Sequence, residues 1–119
     1  MLSKRYAVVV LVMLGALTIL GQAKESWLPG DWKLRFEEHS FEYTLTVYLS
    51  DDEKLAGVLR RADFKEQLML ELDPNGRLII RPLDEDKIWY LECWPTDKRY
   101  LEGIFIGEKI TEWQATKLR

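Results

Sequence analysis

Residues 28–37 read LPGDWKLRFE, and the reading of this stretch decides the fold. Trp32, Leu34 and Phe36 alternate with Asp31, Lys33, Arg35 and Glu37. An apolar side chain at every second position, with charges between, sets one face of a strand against a core and the other in water. Pro29 and Gly30 stand just before it and forbid regular structure there. A glycine two residues ahead of a tryptophan, at the head of a first strand, is the feature to explain.

Seven further strand-like runs follow: Phe41–Leu49, Leu55–Arg61, Glu66–Leu72, Arg77–Pro82, Lys87–Trp94, Arg99–Ile106 and Lys109–Lys117. The clusters EHS, SDDEK, ADFK, DPNG, LDED, PTDK and GEK separate them. DPNG is the clearest turn, because proline suits its second position and Asn-Gly the left-handed ones. Gaps of about two to five residues fit hairpins, and no parallel crossover fits inside them. Only DDEKLAGVLRRADFKEQLML, residues 51–70, has a helical composition, with Leu55, Leu59 and Leu70 inviting that reading. Gly57 and the alternation of Leu68, Leu70 and Leu72 argue for strands instead. The expectation is an all-β fold: an eight-stranded antiparallel up-and-down barrel over residues 31–119, closed so that no edge is exposed.

The first 23 residues stand apart. Lys4 and Arg5 precede the apolar run AVVVLVMLGALTIL, and GQA follows it with small residues at Gly21 and Ala23. These are the three regions of a signal peptide, so cleavage after Ala23 and export to the periplasm or beyond are expected. The run is short against the roughly 20 residues of a membrane-spanning helix, and no cysteine follows it to carry a lipid. Residues 24–30 form an extended lead-in. Of 119 residues, 96 remain, enough for one small domain. Fifteen basic against 20 acidic side chains give the mature chain a charge of −5. Without a basic stripe, such a domain suits neither nucleic acid nor an anionic lipid surface. Cys93 is the one cysteine, which excludes an internal disulfide. It reads as a small buried residue of a strand, the alternative being a thiol for intermolecular pairing.

A Gly-x-Trp at the head of the first strand of such a barrel resembles the lipocalin-like (calycin) families. That resemblance implies a tryptophan plugging the closed end and a basic residue near the last strand packed over it. Lys117 and Arg119, in and after EWQATK, are the candidates. SWLPGDW, residues 26–32, is also similar to the start of periplasmic metalloprotease inhibitors. Those pair a leader and a short extended trunk with a small eight-stranded barrel. They normally carry a disulfide, and this chain does not. The lid-like first loop of true lipocalins is missing as well, and no recognisable biotin-site pattern is present.

Parity sets Trp32, Leu34, Phe36, Phe41, Tyr43, Leu45, Val47, Leu49, Leu55, Leu59, Leu68, Leu70, Leu72, Leu78 and Ile80 inside. In the last three strands Trp89, Leu91, Cys93, Leu101, Gly103, Phe105, Trp113 and Ala115 are the inward choice, because the other would bury Glu92, Glu102 and Glu112. Gly103 then lies opposite Trp113. A barrel of this size holds its own side chains or one small ligand. If there is a ligand it is small and apolar, in contact with Trp32, Phe36, Tyr43, Trp89, Phe105 and Trp113; the other reading is a packed core. The same parity exposes Ile88, Tyr90, Trp94, Tyr100, Ile104, Ile106 and Ile110 on three neighbouring strands. Such a set has the composition of an interface centre, for a partner protein or a homodimer, unless the register there is reversed. The turns near His39, Phe64, Glu85 and Gly107 share one end, whose rim would include Glu37, Glu38, His39, Arg60, Arg61 and Phe64.

Catalytic and metal chemistry find little support. His39 lies in a turn, Cys93 deep in a strand, and Ser26, Ser40 and Ser50 lack a nucleophile-elbow context. SDDE and DED lack calcium-loop spacing, and one His with one Cys is too few for structural zinc. No enzyme, metal or cofactor is expected. Two function classes remain: a binding barrel for a small apolar molecule, and an exported protein-interaction module such as a protease inhibitor.

Overall fold

The alternation after Gly30 becomes β1 (Gly30–Phe36), and β2 (Glu42–Leu49) pairs with it from Gly30↔Val47 to Arg35↔Glu42. In the computed structural model, which describes residues 26–119, β3 (Leu55–Arg61), β4 (Phe64–Leu72), β5 (Leu78–Pro82), β6 (Tyr90–Cys93), β7 (Tyr100–Ile106) and β8 (Ile110–Lys117) follow. Each is antiparallel to its neighbour, and β8 returns to β1 from Trp32↔Lys117 to Phe36↔Trp113, closing the barrel. The expected signal peptide lies outside the described residues. Among those described, no helix is long and apolar enough to cross a membrane.

Residues 51–70 are β3 and β4, so the period-two pattern prevails over helical composition. β4 starts two residues earlier than the sequence suggests, because Arg61 pairs with Phe64 across a two-residue turn. Ala62 in that turn takes a left-handed φ of 52°. β6 is shorter than expected. Its ladder with β5 holds only Leu78↔Cys93, Ile79↔Glu92 and Ile80↔Leu91. Pro82 has no N–H to extend it, and Lys87, Ile88 and Trp89 fall in the connecting segment. Trp94 likewise lies beyond the end of β6.

The inward parity holds through the middle of the strands, although Val58 of β3 and Glu92 of β6, both of outward parity, are buried as well. Trp32, Leu34, Leu45, Leu78, Ile80, Leu91, Leu101 and Ala115 are almost completely buried, and Leu28 of the lead-in joins them. Leu49 departs from the expectation. It ends β2 with 55% of its surface exposed, past the level at which the core closes. Phe41 precedes β2 and is only half-buried. Gly103 sits between Cys93 on β6 and Trp113 on β8. A methyl there would overlap the Glu92 carbonyl oxygen, and the Trp113 Nε1–H crosses β7 to donate to the Ile104 carbonyl at 3.0 Å.

The closed end accounts for the Gly-x-Trp. Gly30 has φ 137°, a region that side chains disfavour, and any Cβ would overlap the Arg119 carbonyl oxygen. The tail returns over it: Asp31 N–H donates to the Arg119 carbonyl (3.1 Å) and Leu118 N–H to the Asp31 carbonyl (2.7 Å). Trp32 is fully buried, and its Nε1–H donates to the Leu28 carbonyl at 2.9 Å. Lys117 extends over the Trp32 ring, with Nζ 5.7 Å from the ring centroid and bonded to the Trp27 carbonyl. Of the two candidate cations, Lys117 therefore covers the tryptophan. Arg119 pairs with Asp31 at 3.2 Å instead.

Candidate functional site

At the opposite end the strands carry aromatic residues inward where the aliphatic core stops. Phe36 ends β1, Tyr43 lies early in β2, Phe64 opens β4 and Phe105 lies late in β7. Antiparallel order brings all four to one level, and Trp89 joins them from the segment before β6. The rings meet edge to face: Phe36–Tyr43 at 5.6 Å, Phe36–Phe105 at 5.4 Å and Tyr43–Phe64 at 5.7 Å between centroids. Trp89 tilts against Phe105 at 5.7 Å. Such contacts fix ring orientation beyond what area burial alone does. Together they enclose a half-open recess of about 540 Å³ whose lining also includes Leu59, Ile88, His39 and Thr111.

The recess is the upper storey of the barrel only. Trp32 and Trp113, at 0% and 2% exposure, belong to the packed storey below and do not line it. Of the six interior residues expected to meet a ligand, Phe36, Tyr43, Trp89 and Phe105 are thus brought together, and the two deepest tryptophans are sealed off. Among the rim residues, His39 and Phe64 reach the recess. Arg61 reaches its edge, with the guanidinium carbon 3.7 Å from the Phe41 centroid, and Phe41 stacks on His39 at 4.8 Å. Arg60 pairs opposite Thr44 and Lys65 on the outer wall and takes no part.

The outward set divides rather than forming one patch. Tyr90, Ile106 and Ile110 are register neighbours near the mouth, and Ile88, 85% exposed, lies beside them. Trp94 and Tyr100 lie towards the other end. Glu92, opposite Ile104, comes between them. Its carboxylate is nearly buried and takes two bonds from Arg77, the Nε one at 2.7 Å, while Arg77 also faces Trp94 at 5.8 Å. Tyr100 is tied to Gln114 (2.8 Å) and Glu102 (3.2 Å), and burial followed by the Glu102 carboxylate raises its hydroxyl above the ordinary value.

Two features at this end escape simple pattern reading. Glu66 is a carboxylate on the inward side of β4, nearly buried and held by Lys87 from the loop before β6. It shares parity with Leu68, Leu70 and Leu72, but a charged residue at the start of the expected strand reads as a solvated end rather than as an inward group. Glu108 and Lys109, in the β7–β8 turn, also line the recess, as does Glu38 just after β1. Beside Glu38, the Glu37 carboxyl is held above its usual value, first by a hydrogen bond with Glu112, then by the Glu112 charge, slight burial and Glu38.

No group of three or more His, Cys, Asp and Glu side chains able to hold a metal occurs among the described residues. Cys93 is buried, which pushes its thiol up to about 12, the Glu92 charge adding to the effect. A thiol in that state is a packing group and a poor nucleophile. No family model, no curated protein and no solved structure matches the chain.

Proposed function

We propose that the protein is an exported binding barrel that holds a small, largely apolar molecule in its aromatic mouth and catalyses no reaction. One observation carries the reading: five aromatic side chains converge on an unfilled recess of about 540 Å³ above a core that is otherwise closely packed. Concave apolar sites with a few polar groups are the usual form of ligand pockets. The basic start, apolar run and small residues of the leader support export. His39 is the recess residue best suited to proton transfer, and neither a serine nor the cysteine lines the recess beside it.

The five tryptophans make the test specific, because each contributes one indole N–H signal. Titration with a small neutral aromatic alcohol should move the Trp89 signal and leave those of Trp32 and Trp113, which donate to backbone carbonyls inside the core. Shifts confined to Trp27 or Trp94, or none at millimolar ligand, refute the assignment.

The cluster of Ile88, Tyr90, Ile106 and Ile110 supports a second reading, association with a protein partner or a second copy through the wall beside the mouth. Ile110, 69% exposed, is the place to test it. If this wall associates, Ile110→Glu abolishes dimer or partner binding in sedimentation while the fold persists.

A further inference from the structure

The recess carries a charge pattern that its aromatic lining does not require. Glu38 and Glu108 both line it, and neither has an ion-pair partner among the described residues. Lys109, exposed in its turn, is the one lysine or arginine of the lining. Phe36, Tyr43, Phe64, Trp89 and Phe105 supply the aromatic lining, and the face of an aromatic ring is the negative pole of its quadrupole.

We propose that the mouth recess selects a small organic cation, an amine or quaternary ammonium on an apolar body, with the body among the rings and the charge at Glu38 and Glu108. The proposal rests on the reading of the recess as a ligand site and adds the ligand's charge. The rings and both carboxylates favour the same sign of charge. A neutral guest would leave the two carboxylates facing water with nothing to gain from them. An anionic guest would be repelled by both, an effect that salt screens at these exposed positions. The lip already holds one cation in this manner: Arg61 lies over Phe41, which stacks on His39, which in turn meets Phe36 at 6.3 Å. Net acidity of the chain, −3 overall, attracts cations from a distance.

Three probes with the same ring and nearly the same length separate charge from shape: phenethylammonium, 2-phenylethanol and phenylacetate. Calorimetric titration into the folded protein at low salt should show the ammonium binding about tenfold more tightly than the alcohol, and phenylacetate more weakly than either. Glu38→Gln with Glu108→Gln should abolish the preference for the ammonium over the alcohol. Lys109→Gln should strengthen the ammonium. These three side chains are exposed, and circular dichroism verifies that the variants fold. Equal affinity for ammonium and alcohol overturns the cation assignment and leaves the recess standing as an apolar site. A preference that survives in the double variant also overturns it. Failure of all three probes to bind overturns the ligand site itself. Binding of a lysine-bearing peptide without binding of the free ammonium overturns the proposal in favour of a protein partner.

Discussion

Replacing Gly30 by alanine tests the physical account of the closed end more sharply than any core truncation. The substitution removes no contact; it adds one methyl group. Two costs follow. A non-glycine residue held at φ 137° carries a backbone penalty of about 1–3 kcal/mol. The methyl also displaces the Arg119 carbonyl, and with it the Asp31–Arg119 and Leu118–Asp31 backbone bonds, each worth about 1 kcal/mol net. Lys117 Cε, 3.0 Å from the added Cβ, can yield because it belongs to a flexible stem. The expected loss is about 3–5 kcal/mol in a urea melt, a large share of the 5–15 kcal/mol typical of a small domain.

The two contributions separate in a cycle with a variant lacking Leu118 and Arg119. In that background the methyl has no carbonyl to displace, so Gly30→Ala should cost only the backbone part. Coupling between the two changes should be about 2 kcal/mol, well above the few tenths expected of independent sites. A loss below about 1 kcal/mol for Gly30→Ala, or additivity within about 0.5 kcal/mol, would refute the claim that the tail folded over the glycine is what requires it.

Trp32→Ala should destabilise by roughly 3–5 kcal/mol, because the ring is fully buried and both caps and is capped; a melt showing under about 1 kcal/mol would contradict that burial. Glu37→Gln should raise the melting temperature at neutral pH. The folded carboxyl titrates above its ordinary value, so its contribution is present below the unfolded value and is lost as pH rises through the folded one. The variant's stability should therefore fall less than the parent's between mildly acid and neutral pH. The Cys93 thiol should react with an aromatic disulfide reagent at pH 8 only as fast as the barrel opens, and promptly in denaturant; rapid labelling of the native protein would contradict the burial that pushes it up to about 12.

How much of this was legible beforehand follows from what alternation encodes. A strand's parity is local, so the eight strands, their hairpin order and the inward choice of Leu91, Cys93 and Trp113 could all be read from charged neighbours. A basic residue over Trp32 was suggested by resemblance to barrels that begin with Gly-x-Trp, but the choice between Lys117 and Arg119 was not, since nothing local distinguishes them. Strand ends were less legible. The Ala62–Asp63 turn is held in a left-handed conformation that alanine rarely adopts, so the chain appeared to turn over four residues rather than two. Glu66 fell at the very start of the expected strand, where a charge reads as a solvated end, and only its pairing with Lys87 from another segment shows that it is buried. β6 was read too long because Lys87 to Trp94 alternates convincingly, while the cause of its shortening, Pro82, lies on the neighbouring strand. The split of the outer patch was invisible for a related reason: which side chain lies between two others depends on register across strands.

Depth inside the barrel is the property that parity cannot supply, and it is the one that bears on function. Trp32 and Phe36 have the same parity, on the same strand, four residues apart. Four residues of strand span about 13 Å, enough to carry one ring into a dry core and the other to the edge of an open recess. At the Trp32 end the chain supplies its own cover: Leu28 from the lead-in, Lys117 across the ring and the tail over Gly30. At the Phe36 end the β5–β6 ladder stops at Ile80↔Leu91, and the segment that follows contributes Trp89 as wall rather than as lid. One end is thus covered by the chain itself, whereas the other leaves aromatic rings around an open recess. The strands that carry Phe36, Tyr43 and Phe105 are anchored below in the buried core, so the two ends of one barrel differ in what covers them and not in the parity of their strands.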